Sequence, residues 1–126
     1  MDDLTELANA TYVSLRTFRK SGVAVDTPVW CVQDNDVLAI FSAGHAGKVK
    51  RLHGNANAQL AKCGVRGKLL GDWIPARATL ISAPDDVPRI LATFRAKYGW
   101  QMWLADIGAR LTGKMAKRAY IRVELE

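Results

Sequence analysis

Short runs in which apolar and polar residues alternate, cut at close intervals by turn signals, constrain this chain more than any other feature. Over 11–18 the alternation puts Tyr12, Ser14, Arg16 and Phe18 on one face and Val13, Leu15 and Thr17 on the other, the period of a strand. Ser21-Gly22 then supplies a hairpin turn. The stretch 23–33 reads as one long second strand, in which Pro28 cannot donate to a ladder and so belongs at an edge or a bulge. Turn residues at 34–36 lead to a third strand at 37–41. Further strands are expected at 57–63, 73–81 and 119–125, with a glycine-rich basic loop at 64–71 after the fourth.

Helical patterns punctuate these strands. Leu4, Leu7 and Ala8 share a side over 2–10, which predicts a short helix lidding one barrel end. Asp85, Asp86 and the early Pro88 open a helix that Gly99 stops, and 100–111 makes another. Between the third and fourth strands, two glycines lead into a helix whose first turn carries Lys48, Lys50 and Arg51. Unpaired N–H groups and the positive dipole end make such a start a seat for phosphate, although the same cations also decorate ordinary solvated helices. The expectation is a mainly β (α+β) fold: a six-stranded antiparallel barrel with a few helices, in one domain spanning 1–126.

Composition narrows the partners. Eighteen Lys and Arg against twelve Asp and Glu leave a net charge of +6, so the partner should be anionic: nucleic acid, an acidic membrane surface or a polyanionic small molecule. No helix-turn-helix, zinc finger or ribonucleoprotein motif is present, so nucleic acid is not expected. Cys31 and Cys63 are spaced unlike a zinc site and are expected to be buried thiols, with no metal centre. No apolar run approaches a membrane span, and the start of the sequence is acidic where a signal peptide is basic, so the protein is expected in the cytoplasm.

The order of hairpin, long strand with Thr27-Pro28-Val29-Trp30, third strand and Gly47-Lys48-Val49-Lys50-Arg51-Leu52 helix resembles the split β-barrel flavin-binding superfamily of the pyridoxamine phosphate oxidases. Within it, the sequence is most similar to the deazaflavin (coenzyme F420)-dependent oxidoreductase group, through Cys63-Gly64-Val65-Arg66-Gly67, Leu70-Gly71-Asp72-Trp73 and Tyr98-Gly99-Trp100. The resemblance implies a homodimer with flavin or deazaflavin in a groove between subunits. It places Lys48 on cofactor phosphate, with Lys50 and Arg51 toward the acidic tail of F420. Thr27, Pro28, Val29 and Trp30 would line the ring system, and Ser42, Ala43 and Gly44 the turn beside the phosphate. Gly47, where FMN-binding oxidases commonly carry arginine, favours F420 over FMN; Ala46 replaces a hydroxyl residue common among relatives.

A strip of positive charge should therefore run from the pocket through Lys48, Lys50, Arg51, Lys62, Arg66 and Lys68. The implied activity is an F420H2-dependent reductase acting on an electron-poor organic substrate; the alternatives are an FMN-binding oxidoreductase of the same fold and a non-catalytic binder of F420, haem or another tetrapyrrole. Hydride transfer needs no protein nucleophile, in keeping with a chain that holds two histidines and no Ser/His/Asp arrangement. No proton donor is identified; His45 at the helix start reads as a loop residue. Trp73, Trp100 and Trp103 are candidate pocket walls, but Trp100 and Trp103, three apart on a helix, read better as core or dimer packing. Arg95, Lys97, Arg110, Lys114, Lys117 and Arg118 read as solvated faces, with weak association of this basic C-terminal region with an acidic membrane as a further expectation.

Overall fold

A computed structural model describes residues 3–43, 52, 55–81, 85–113 and 118–126. The elements run α1 (Asp3–Asn9), β1 (Tyr12–Phe18), β2 (Ala24–Val29), β3 (Cys31–Asp34), β4 (Val37–Ala43), β5 (Asn57–Cys63), β6 (Ile74–Leu80), α2 (Asp86–Tyr98), α3 (Trp100–Leu111) and β7 (Arg118–Leu125). All seven strands join one antiparallel sheet in the order β2-β1-β5-β6-β7-β4-β3. Among the described residues, no helix is long and apolar enough to cross a membrane.

Seven strands replace the six expected, because 23–33 is not one strand. Its first part pairs with β1, from Phe18 opposite Ala24 to Val13 opposite Val29; its second pairs with β4, from Cys31 opposite Ile40 to Asp34 opposite Val37. Trp30 belongs to neither ladder. Since β2 and β3 stand at opposite ends of the strand order yet are consecutive in the chain, the sheet must curl until its two edges meet at Trp30. That closure makes the split barrel. The β1/β2 register is unbroken through Ser14 opposite Pro28, so no bulge forms there; Pro28 is accommodated because β2 is an edge strand.

Two cores follow from the alternation. Val13 and Leu15 of β1, Leu38 and Ile40 of β4, Leu60 of β5 and Ile121 and Val123 of β7 fill the barrel interior, where Ala58, Ala76 and Ala78 leave room for the larger side chains. Leu7 and Ala8 of α1 join this core, which makes α1 the lid its spacing predicts, and Leu52 is buried in it too. The opposite faces of β3, β4 and β7 present Val32, Ala39 and Tyr120 to Ile90, Phe94 and Tyr98 of α2 and Met102 of α3. The spacing Ile90, Phe94, Tyr98 is one helical stripe, so a single face of α2 is committed to the sheet. Arg89 ties the start of α2 to Asp34 at the end of β3, and to Asp86 at 2.9 Å.

Turns behave as their residues dictate. Gly22 takes φ 88° to close the β1–β2 hairpin, its N–H donating to the Arg19 carbonyl at 2.8 Å. Asn35, at φ 58°, shapes the two-residue turn between β3 and β4, a position that asparagine tolerates better than most residues.

Candidate cofactor groove

The seam at Trp30 is held by side chains from α2. The Trp30 ring stacks on Tyr98 at 4.5 Å with 13° between planes and meets Phe41 edge-on at 6.2 Å. The Tyr98 hydroxyl accepts from the Cys31 N–H at 3.0 Å and lies 2.9 Å from the Thr11 carbonyl and 3.1 Å from that of Cys31, donating to one of them at a time. Burial, reinforced by the neighbouring Cys31 thiol, pushes the Tyr98 phenol well above its usual range, so it stays a donor at any physiological pH.

Lys97, beside it, sends its ammonium inward to the carbonyls of Ala8 (2.6 Å), Ala10 (2.8 Å) and Cys31 (2.6 Å). Burial pulls the ammonium down from its usual value, against the thiol of Cys31, which favours its charge. Both cysteines are buried free thiols, as expected; burial pushes Cys31 up to about 11.

On the open side of this seam, Tyr12, Pro28, Val29, Trp30, Phe41 and Ser42 line a groove of about 280 Å³. Phe41 and Ser42 also border a second hollow of about 290 Å³, walled by Ala105, Gly108 and Ala109 of α3, by Thr112 just past its end and by Arg118. The Arg118 guanidinium lies 4.7 Å from the centre of the Phe41 ring and donates to Asp106 at 2.8 Å; Arg95 approaches the other carboxylate oxygen at 3.0 Å. Burial alone would raise the Asp106 carboxyl, but the hydrogen bonds and charges of Arg118 and Arg95 outweigh it and hold the group below its ordinary value.

Of the residues expected to hold a cofactor, Pro28, Val29, Trp30 and Ser42 therefore converge in one groove. Thr27 is half-buried in β2 opposite Leu15 and does not line it. The backbone of Ala43 ends β4 opposite Arg118. Gly44, His45, Ala46, Gly47, Lys48, Lys50 and Arg51 lie outside the described residues, as do Lys114 and Lys117. Arg66 and Lys68 are exposed on the loop after β5, which runs against the groove wall: a Cβ on Gly67 would stand 3.7 Å from the Pro28 ring.

Several expectations are corrected. Lys62 leaves the basic strip, because it lines the barrel mouth with Asp3, Glu6, Asp72 and Glu126, in a hollow of about 430 Å³. Trp73 lies in that same mouth, under the Arg16 guanidinium at 3.9 Å, and walls no part of the Trp30 groove. Trp100 and Trp103 are exposed rather than packed in the core, since Met102 occupies the buried side of α3. Lys97 and Arg118 are not solvated faces: remote carbonyls meet the first and a buried carboxylate the second, whereas Arg95 is exposed as expected while it reaches that same carboxylate. Sequence reasoning also missed Tyr12 and Phe41 as groove walls. Their available signal was position, next to Thr11 at the start of β1 and directly before Ser42.

No family model and no curated protein matches this sequence. Solved structures do. The chain is similar to HutZ, the haem storage protein from Vibrio cholerae, with a TM-score of 0.72 at 11% identity over 98% of this chain and 88% of that one. A protein of Listeria innocua provisionally named a pyridoxamine 5′-phosphate oxidase gives 0.65 at 12% identity over 98% and 90%. An F420 reductase gives 0.63 at 14% identity over 100% and 95%. At these identities the likeness is one of fold, and it agrees with the strand order and the closure at Trp30. The chain has a split-barrel fold, and it shares that fold with these three structures.

Proposed function

We propose that this protein is an oxidoreductase that binds F420 in the Trp30 groove and uses its reduced form on an electron-poor organic substrate. The observation that carries the reading is the convergence of Pro28, Val29 and Trp30 with Ser42, residues far apart in sequence, in one aromatic-walled slot. Flat apolar surfaces from Trp30, Phe41 and Tyr12 suit a planar ring system, and a hydroxyl at the rim suits its polar edge. The slot fits only part of such a group: about 280 Å³ lies just under the roughly 300 Å³ at which enclosed ligand sites begin, which supports a second subunit completing the site. A homodimer is part of the proposal for that reason.

F420, when bound, would supply two-electron hydride chemistry. The chain's own residues position the ring, exclude water from one of its faces and neutralise its tail. Exposed Arg66 and Lys68, on the loop pressed against Pro28, extend positive charge from the slot, and β4 leads from its wall toward Lys48, Lys50 and Arg51 in sequence. That excess of cations beyond a single phosphate favours F420 over FMN.

Titration with F420, FMN and haem, followed by quenching of tryptophan emission, separates the readings. The expected order is F420 tightest, with Lys48→Ala weakening F420 by about 1.5–3 kcal/mol, the value of a charged hydrogen bond. Preference for FMN would move the activity to a flavin enzyme of the same fold, and preference for haem to a binding protein. An unchanged F420 affinity in Lys48→Ala would remove that lysine from the site.

A further inference from the structure

Helix α3 is apolar on two opposite sides. One side carries Met102, buried against α2 and the sheet, flanked by Ala105 and Ala109 over the 290 Å³ hollow. The other carries Trp100, Trp103, Leu104, Ile107 and Leu111, which at 100° per residue fall within a single stripe about 100° wide. Burial does not account for this second stripe: Trp100 is 70% exposed, Trp103 62%, Leu104 51% and Leu111 84%. Two tryptophans and two leucines bared together on one helix face form a contiguous patch of a kind that marks an interaction surface.

The charge around the stripe is one-sided. Arg110 is exposed at its margin, and Arg95 reaches α3 from α2 with nearly half of its side chain exposed. The sole acid of α3, Asp106, is buried and spent on Arg95 and Arg118. The sequence continues with Lys114 and Lys117, in a chain of net charge +6. Pairing this stripe with its own copy would leave the Arg110 at each margin with no free carboxylate on either helix to meet it. An anionic lipid surface satisfies both parts at once, with indoles and leucines at the headgroup–acyl boundary and guanidinium groups among the phosphates.

We infer that the outer face of α3 docks the protein on an anionic membrane surface, with the helix lying in the interfacial plane along its length of about 18 Å. Docking is peripheral and reversible, because one 12-residue helix inserts only one side.

The test is co-sedimentation of the whole protein with vesicles of phosphatidylcholine alone and of phosphatidylcholine with phosphatidylglycerol, together with tryptophan emission and sedimentation velocity. The expected result is partitioning at least about tenfold stronger on the anionic vesicles, weakened by salt and accompanied by a blue shift in emission. The exposed double substitution Trp100→Gln with Trp103→Gln should abolish the blue shift and lower partitioning about tenfold, with the far-UV spectrum unchanged as the folding check. Arg110→Glu should cost about fivefold on anionic vesicles and nothing on neutral ones. Partitioning that is absent, equal on both vesicles or untouched by the double substitution overturns the inference. So does a double variant whose main effect is to turn a dimer into a monomer, which would assign the stripe to a second copy of the chain.

Discussion

Lys97→Met tests whether the seam is held as described. The substitution keeps an unbranched apolar stem and removes the ammonium that joins the end of α1 to the start of β3. Three carbonyls lose a charged donor. Cys31 retains the Tyr98 hydroxyl at 3.1 Å, so Ala8 and Ala10 bear the loss. An acceptor left unpaired in a buried site costs about 1–3 kcal/mol. Lys97 is half-buried, so water can reach part of the vacated space, and the lower half of that range applies to each carbonyl. The expected destabilisation is about 2–4 kcal/mol, a large share of the roughly 5–15 kcal/mol that a domain holds in total. Urea unfolding followed by far-UV circular dichroism reads it as a fall in midpoint at constant slope. A change within about 0.5 kcal/mol, the usual effect of a solvated surface lysine, would refute the reasoning.

Asp106→Ala leaves the buried Arg118 guanidinium without its carboxylate and should cost about 3–5 kcal/mol in the same assay, Arg95 adding little because it is largely solvated. Because the folded state holds the Asp106 carboxyl below its ordinary value, the stability it gives is whole above about pH 4 and drains away as pH falls through the lowered value. The wild-type protein should thus lose stability more steeply than Asp106→Ala as pH falls below about 4, the ordinary value of the group; parallel curves would contradict the assignment. Phe94→Ala, at the fully buried centre of the helix–sheet core, should cost about 3–5 kcal/mol in thermal or urea unfolding.

Much of the barrel was legible because each strand turns one face into the barrel interior and the alternation records it. In β1, Val13, Leu15 and Thr17 fall on one face as read, and the stop at Gly22 sets the hairpin. The break at Trp30 was not legible: 23–33 stays extended throughout, and what changes there is the pairing partner, from β1 to β4, which no local pattern encodes. Lys97 and Arg118 were misread for a related reason. A cation in a helix turn or strand end looks solvated unless the carbonyls or carboxylate that will surround it are known, and those come from Ala8, Cys31 and Asp106. A lone aspartate within the otherwise apolar and basic α3 was the one available hint. Trp100 and Trp103 were correctly placed on one face, but whether that face looks inward depends on Met102 opposite them.

The position of the groove follows from the closure of the barrel. The β1/β2 ladder ends at Val13 opposite Val29 and the β3/β4 ladder begins at Cys31 opposite Ile40, so the residue between must bridge two sheet edges while paired in neither. A small side chain there would leave the gap open. Trp30 fills it by stacking on Tyr98, while Tyr12, Phe41 and Ser42, at neighbouring strand ends, supply the rest of the rim. A ligand seated against Trp30 contacts both edges at once and is held only while they are joined. Its binding free energy therefore adds directly to the stability of closure, and the residues that close the barrel and those that shape the groove are in large part the same set.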